Sequence, residues 1–358
     1  MKKTIRIFTV VALVALLACQ SAWAGNDNRR GTAGATELLV NPWARSTGWG
    51  SVSVANVRGL ESFYSNIAGL CFLQGVGFNY SNTFLYGGKS GLNSGGNVNA
   101  LALGVRVSEQ GVLGISLNSF SFGDIPITKE GSPEMVNGTF SPTLMNINVA
   151  YAHSFTTSIH GGVNIKVINE TTDNITGTGF SVDAGIQYVT GAEEELKFGI
   201  SLKNWGPSMK FTGTGHAFTF INESNNTMTA EFRAGEMELP TCLNIGISYD
   251  FLFEAWQQRL TLAAAFTSNA FLKDNITLGL EYSMFDIFAL RCGYVWQQNI
   301  FSENERTTAN TGFCAGGSVD ISLAKKDSDS NLGLSIDYSY RMAAPLKGTH
   351  SIGASFRF

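Results

Sequence analysis

From about residue 72 to its last residue, the chain alternates apolar and polar side chains with a period of two. Leu332, Leu334, Ile336, Tyr338 and Tyr340 interleave with Gly333, Ser335, Asp337, Ser339 and Arg341. Leu243, Ile245, Ile247, Tyr249 and Phe251 interleave in the same way with Asn244, Gly246, Ser248 and Asp250. Neighbouring side chains on a strand point to opposite faces, so each segment has one apolar and one polar face. The pattern predicts strands at 72–86, 98–108, 111–120, 142–155, 157–169, 177–190, 193–205, 239–252, 257–268, 273–284, 286–296, 310–322, 330–341 and 346–358. A soluble sandwich also alternates, so three further features decide. The segments run to roughly 10–14 residues, the length of a tilted membrane strand rather than of an ordinary one. The second, fourth and tenth connections are minimal, whereas the first, third, seventh and eleventh are long, the longest from Gly206 to Glu238. Tight turns at one end and long loops at the other are the outer-membrane arrangement. Finally, the last strand runs to the terminus with Phe356 and Phe358 outward, the aromatic ending expected to be read by the outer-membrane assembly machinery. The expected fold is all-β: a transmembrane outer-membrane β-barrel of about 14 antiparallel strands.

Composition agrees. Charged residues make up 15% of the chain, below the roughly 25% usual for soluble domains. The one long apolar run, Ile7 to Ala18, follows Lys2, Lys3 and Arg6 and precedes Ala22-Trp23-Ala24, which predicts a cleaved signal peptide over 1–24. Leu16-Leu17-Ala18-Cys19 also resembles a lipobox, so lipidation of Cys19 stays open. Cleavage removes three basic residues and no acid, leaving 21 against 28 and a net charge of −7. A nucleic-acid partner is therefore not expected. The cysteines form no CxxC pair and the four histidines are scattered, so neither metal nor cofactor is expected. Glu193-Glu194-Glu195 reads as a solvated turn, and His160, inward at the rim, has no nucleophile beside it in sequence, so no enzyme is predicted. The inward charges Arg106, Lys166, Asp183, Lys203, Asp320 and Asp337 form no ring of one sign.

Residues 31–71 do not alternate. They predict glycine-rich turns with a short helix around Val57 to Asn66, placed in or beneath the barrel as a plug. The domain reading is signal peptide 1–24, hatch or plug 25–71 and barrel 72–358. Both termini are expected at the tight-turn end, with the Gly206–Glu238 loop at the other.

The run GTAGATELLVNPWARSTGWGSVSVANVRGLESFYSNIAGL and the closing GTHSIGASFRF resemble the PorV/PorQ family of the wider FadL-like superfamily. The shared positions form a hatch motif: Glu37, Leu38, Leu39, Ala44, Arg45, Asn66, Ala68, Gly69 and Leu70, beside Ala33-Gly34, Val54-Ala55 and Gly59. The chain departs from the family at Ile67, where proline is expected, at Ser65, where an aromatic is usual, and at Pro42-Trp43. The resemblance implies a 14-stranded barrel with a lumenal hatch and a role in type IX secretion. Its implied partners are the translocon and the C-terminal signal domains of cargo, besides outer-membrane lipid. The alternative is a FadL-like channel for hydrophobic small molecules, which inward Val112, Ile287 and Val295 permit.

Two long loops are candidate docking elements, through Phe211, Phe218 and Phe220 in one and Phe120 and Phe122 in the other. Such rings either meet a partner or fold back over the barrel mouth for their own burial.

Overall fold

A computed structural model describes residues 25, 29–87, 95–128, 131, 132, 134–322 and 332–358. The predicted signal peptide and Cys19 lie outside the described residues. Fourteen antiparallel strands close into a barrel: β1 Val76–Phe84, β2 Asn97–Arg106, β3 Gly111–Ser121, β4 Thr143–Ser154, β5 Ile159–Thr172, β6 Ile175–Thr190, β7 Leu196–Trp205, β8 Cys242–Phe253, β9 Gln258–Asn269, β10 Asn275–Met284, β11 Phe288–Gln297, β12 Asn310–Ser322, β13 Gly333–Ala343 and β14 Thr349–Arg357. Each strand pairs with the next in sequence, and β14 returns to pair with β1. Backbone bonds between Val76 and Phe358, at 2.8 and 3.1 Å, finish that seam.

The period of two governs the wall. On β4 the side chains of Ile147, Val149 and Tyr151 are exposed while Asn146, Asn148, Ala150 and Ala152 are buried. Other strands repeat this, giving an apolar outer face of the kind a bilayer covers and a mainly polar or small inner face. Closure leaves the ladder without free edges in the apolar band. The predicted strands match within a few residues, except that β1 begins at Val76, because Ile67–Phe72 forms a 3-10 helix.

The connections divide as the sequence suggested. After β2, β4, β6, β8 and β10 the turns are short, and at one of them Phe285 and Asp286 both take positive φ to close a tight hairpin. After β3 and β7 the loops are long, although β5 and β6 are joined at that same end by only Asp173-Asn174. The loop after β7 first rejoins the wall, pairing Lys210, Phe211 and Thr212 with the start of β6. It then projects as a hairpin of Ala217–Ile221 and Thr227–Glu231.

The N-terminal segment 29–75 runs through the lumen. It contains short 3-10 turns at Thr36–Leu39, Gly59–Phe63 and Ile67–Phe72 and one helical turn at Ala44–Thr47. The helix expected around Val57 to Asn66 is therefore only the 3-10 turn Gly59–Phe63, because Leu60 and Phe63 are held against the wall rather than along one helix face. A second expectation fails outright. Gly25 packs on Leu272–Asp274 and the Arg29 guanidinium lies 4.2 Å from the Phe271 ring, both in the connection between β9 and β10. The first described residues thus lie at the loop end and Phe358 at the tight-turn end, so the described segment crosses the barrel from one end to the other. Alternation cannot report the path of a segment that does not alternate.

Candidate functional site: the plug seat and the lumenal cavity

The plug rests on a girdle of inward glycines. Gly77, Gly104, Gly114, Gly162, Gly185 and Gly199 supply it on one side of the ring, and Gly246, Gly279, Gly293, Gly316 and Gly353 on the other. Register places many of them directly opposite one another, as in Gly77–Gly104–Gly114, Gly162–Gly185, Gly199–Gly246 and Gly279–Gly293. The plug fills the space that side chains would otherwise take. A Cβ on Gly104 would meet Leu60 and Leu73 at 2.7 Å, and one on Gly279 would meet Val52 at 2.5 Å. One on Gly199, Gly185 or Gly293 would strike the Val54 carbonyl, Asn66 or the Trp49 backbone. Here glycine lets one backbone approach another.

Apolar packing and polar bonds hold the seat together. Trp43, Leu60, Phe63, Ile67, Leu70 and Leu73 bury themselves against Ala100, Ala102, Val112, Ala150 and Ala152 of β2 to β4. Across the lumen, Arg45 reaches two acids on neighbouring strands: Nε donates to Asp337 at 2.9 Å and Nη2 to Asp320 at 2.6 Å. These charges raise the Arg45 guanidinium pKa against the opposing effect of burial. Asn66 caps the last 3-10 helix by accepting from the Ala68 N–H at 3.1 Å, while its amide donates to the carbonyls of Val54 and Ile186 at 2.9 and 3.0 Å. Arg106 donates to the carbonyls of Leu73 and Cys71 at 2.9 and 2.6 Å. Glu37 is buried beside Glu170 of β5, and burial, reinforced by that neighbouring carboxyl, pushes its pKa up to about 8. Glu61 accepts from the Ser46 N–H at 3.0 Å, and burial pushes it up to about 7.

All nine hatch-motif residues lie in this plug. Glu37, Ala44, Arg45 and Asn66 make the contacts above or face the girdle. Leu38 joins Ala35, Ile168, Met209 and Leu239 in a separate apolar cluster. The Leu39 carbonyl accepts from the Tyr64 hydroxyl at 2.7 Å. Ala68, Gly69 and Leu70 are buried, with Gly69 against Val57 and Leu70 against Gly114. The glycine girdle is the functional feature missed in the sequence, although recurring inward glycine in successive strands was its signal.

Between plug and loop end lies a cavity of about 330 Å³. Asn41, Ser51 and Tyr64 form its floor, with Asn244, Thr267, Thr277, Gln297 and Asn310 around its wall. Aliphatic lining comes from Leu39, Leu85, Val295 and Ile300 among others, and two cations, Lys203 and Arg341, complete it. A more apolar concavity lies on the outer face, between Ile247, Leu262, Leu278, Leu280 and Phe313. Val112, expected to be available to an apolar solute, is taken up by the plug, and Ile287 sits in a turn.

The docking candidates separate. Phe120 is buried on β3 and Phe122 is half-buried, while Phe211 packs against the Leu38–Met209 cluster. Phe218 and Phe220 are exposed on the projecting hairpin, and Phe218 stacks on Phe232 at 4.5 Å between centroids. At the opposite rim, Ser154 lies 2.9 Å from His160 Nδ1, a neighbour the sequence did not reveal. His160 Nε2 is buried without a hydrogen-bond partner among the described residues. Among the described residues no group of His, Cys, Asp and Glu could hold a metal. The described cysteines are free, Cys292 exposed outward and Cys314 buried inward.

No family model matches the chain. No curated protein matches it by sequence. Its shape does match solved structures. The CymD monoaromatic hydrocarbon channel superposes with a TM-score of 0.53 and 14% identity, over 89% of this chain and 98% of that one. The Pseudomonas putida toluene transporter TodX gives 0.51 and 12%, over 87% and 99%. A Pseudomonas aeruginosa FadL homologue gives 0.49 and 10%, over 88% and 98%. At these identities the likeness is one of fold. The closed 14-strand barrel is an architecture this chain shares with the CymD and TodX barrels.

Proposed function

We propose that this chain is an outer-membrane channel of the FadL-like kind, which takes small molecules from the loop end into the cavity above the plug. One observation carries the reading: a lumen closed by a seated plug, with a lined cavity of about 330 Å³ on the loop side of the seal. A passive structural barrel has no need of such a compartment, and a general pore would have no seal. The printed functions of CymD and TodX, monoaromatic hydrocarbon channel and toluene transporter, support a small hydrophobic solute. In this orientation the Gly206–Glu238 loop is extracellular and Phe358 is periplasmic.

A second reading, the type IX secretion barrel implied by the PorV/PorQ resemblance, draws on the exposed hairpin. Phe218, Phe220, Ile221, Met228 and Phe232 are all exposed there, beyond the barrel wall. Apolar loops facing water gain from a covering partner, and a cargo signal domain or the translocon would supply one.

One experiment separates the two readings. The tagged protein is purified from its native outer membrane, and both proteins and extractable small molecules are identified by mass spectrometry. The barrel alone with a co-purifying small molecule supports the channel. Recovery of a very large translocon barrel, or of secreted proteins with C-terminal sorting domains, overturns it in favour of secretion.

A further inference from the structure

The cations that the barrel turns inward fall into two groups. Most are matched. Lys166 lies 2.7 Å from Asp183, Lys197 pairs with Asp250, and Arg259 and Arg291 share Glu281 at 3.1 and 2.5 Å. Arg106 is satisfied by the carbonyls of Leu73 and Cys71. Lys203 and Arg341 are not matched in this way. Lys203, on β7, is only 5% exposed, and its ammonium lies 3.6 Å from the Tyr64 ring centroid, with no ion pair to a described carboxylate. The nearby acid, Asp183, is already engaged by Lys166, the Asn204 N–H and Asn164. Arg341, on β13, likewise has no ion pair to a described carboxylate, and its Nε is buried without a hydrogen-bond partner.

Both cations line the same cavity, and no Asp or Glu is found among the described residues around it. With β7 and β13 six strands apart in a ring of fourteen, the two charges project from opposite walls. A buried cation without a counter-charge is costly, and low-dielectric walls strengthen its field within the space it faces. Asn244, Asn269, Gln297 and Asn310 make the rest of the wall polar but uncharged. The Tyr64 ring, itself part of the cavity lining, balances part of the Lys203 charge through its face without neutralising it.

We infer that this cavity is an anion site that takes a small organic carboxylate, with Lys203 and Arg341 as its counter-charges. The inference rests on the channel reading and replaces a neutral solute with a charged one. The test uses the full barrel, purified in detergent, with Cys292→Ser removing the exposed thiol, Cys242→Ser and Cys314→Ser removing the two that line the cavity, and Val295→Cys placing one on its wall. Labelling of that cysteine by an anionic sulfonatoethyl and by a cationic trimethylammonioethyl methanethiosulfonate is followed by mass spectrometry. Each rate is divided by the reagent's rate with a free thiol in solution.

The expected result is a normalised preference of about tenfold or more for the anionic reagent. Sodium benzoate should slow labelling, whereas benzyl alcohol, similar in size and uncharged, should not. Both effects should disappear in Lys203→Gln/Arg341→Gln, with folding checked by heat-modifiable mobility. The wild-type ratio does not depend on how that variant folds. Equal normalised rates, or equal protection by the two ligands, overturn the anion site and leave the channel intact. Failure of both reagents to label overturns the site and the channel together, because the cavity is then closed to solutes.

Discussion

Alanine at Gly199 tests whether the plug is seated on backbone. Gly199 and Gly246 face each other on β7 and β8, and Val54-Ala55 of the plug occupies the slot between them. A Cβ on Gly199 would land on the Val54 carbonyl oxygen, 2.7 Å from its carbonyl carbon and 2.8 Å from the Ala55 Cα. Carbon atoms in contact keep about 3.5–4.0 Å apart, so the overlap is about 1 Å. It falls on backbone atoms, which cannot rotate away as a side chain would. Overpacking that forces such a shift costs about 1–3 kcal/mol. A strand gains roughly 0.5–1 kcal/mol when alanine replaces glycine, so the net loss should be about 1–2 kcal/mol. Gly317 on β12 is the control, since its Cβ would meet Ala289 and Leu290 at an ordinary 3.6 Å. Gly246→Ala would press on the same Val54, its Cβ 2.9 Å from the Val54 Cβ. Once Val54 has lifted for the first methyl, the second finds open lumen, so the double variant should cost clearly less than the sum. The assays are the temperature at which heat-modifiable mobility is lost and the rate of limited proteolysis within 48–57. If Gly199→Ala melts and is cleaved like Gly317→Ala, or if the pair is additive, the backbone seat is refuted.

Other perturbations probe the remaining contacts. Arg45→Ala leaves Asp337, almost fully buried, without its cation; breaking a buried pair on one side costs about 3–5 kcal/mol, so the plug should become protease-sensitive, and an unchanged digestion pattern would count against that anchor. Glu37 keeps its proton up to about pH 8 when seated, whereas exposed to water it ionises near the ordinary 4.5. The unseated form therefore gains relative to the seated one as pH rises between these values, by at most about 1.4 kcal/mol per pH unit. The wild-type melting temperature should fall over that window, and Glu37→Gln should make the fall shallower, leaving the part due to Glu61, whose pKa is raised to about 7; parallel profiles would refute the contact. Deleting Phe358 removes both backbone bonds to Val76 at the closing seam and should lower the yield of folded barrel, a loss read as reduced heat-modifiable mobility.

The barrel was legible because its rule is local. Each strand must put one face to lipid and one to the lumen, so the period of two recurs in every segment, and Ile147, Val149 and Tyr151 declare their face without reference to any other strand. The plug obeys no such rule. Its path is set by where the wall leaves room, and that room is created by residues without side chains spread over eleven strands. Gly199 and Gly246 are 47 positions apart in sequence and adjacent in space, so only the register discloses that Val54 lies between them. The same limit applies to charge. Read in sequence, Arg106, Lys166, Asp183, Lys203, Asp320 and Asp337 are a scatter of both signs, and the absence of a ring follows correctly. Register then assigns Asp183 to Lys166, and Asp320 and Asp337 to Arg45 of the plug, a residue outside the alternating region altogether. What remains after that assignment is Lys203, one strand position before the left-handed turn at Asn204, and Arg341 on the far wall. The cavity's positive character is thus a remainder, visible only once the paired inward cations have been assigned to their acids. No count of charges along the chain, whose net value is negative, could have located it.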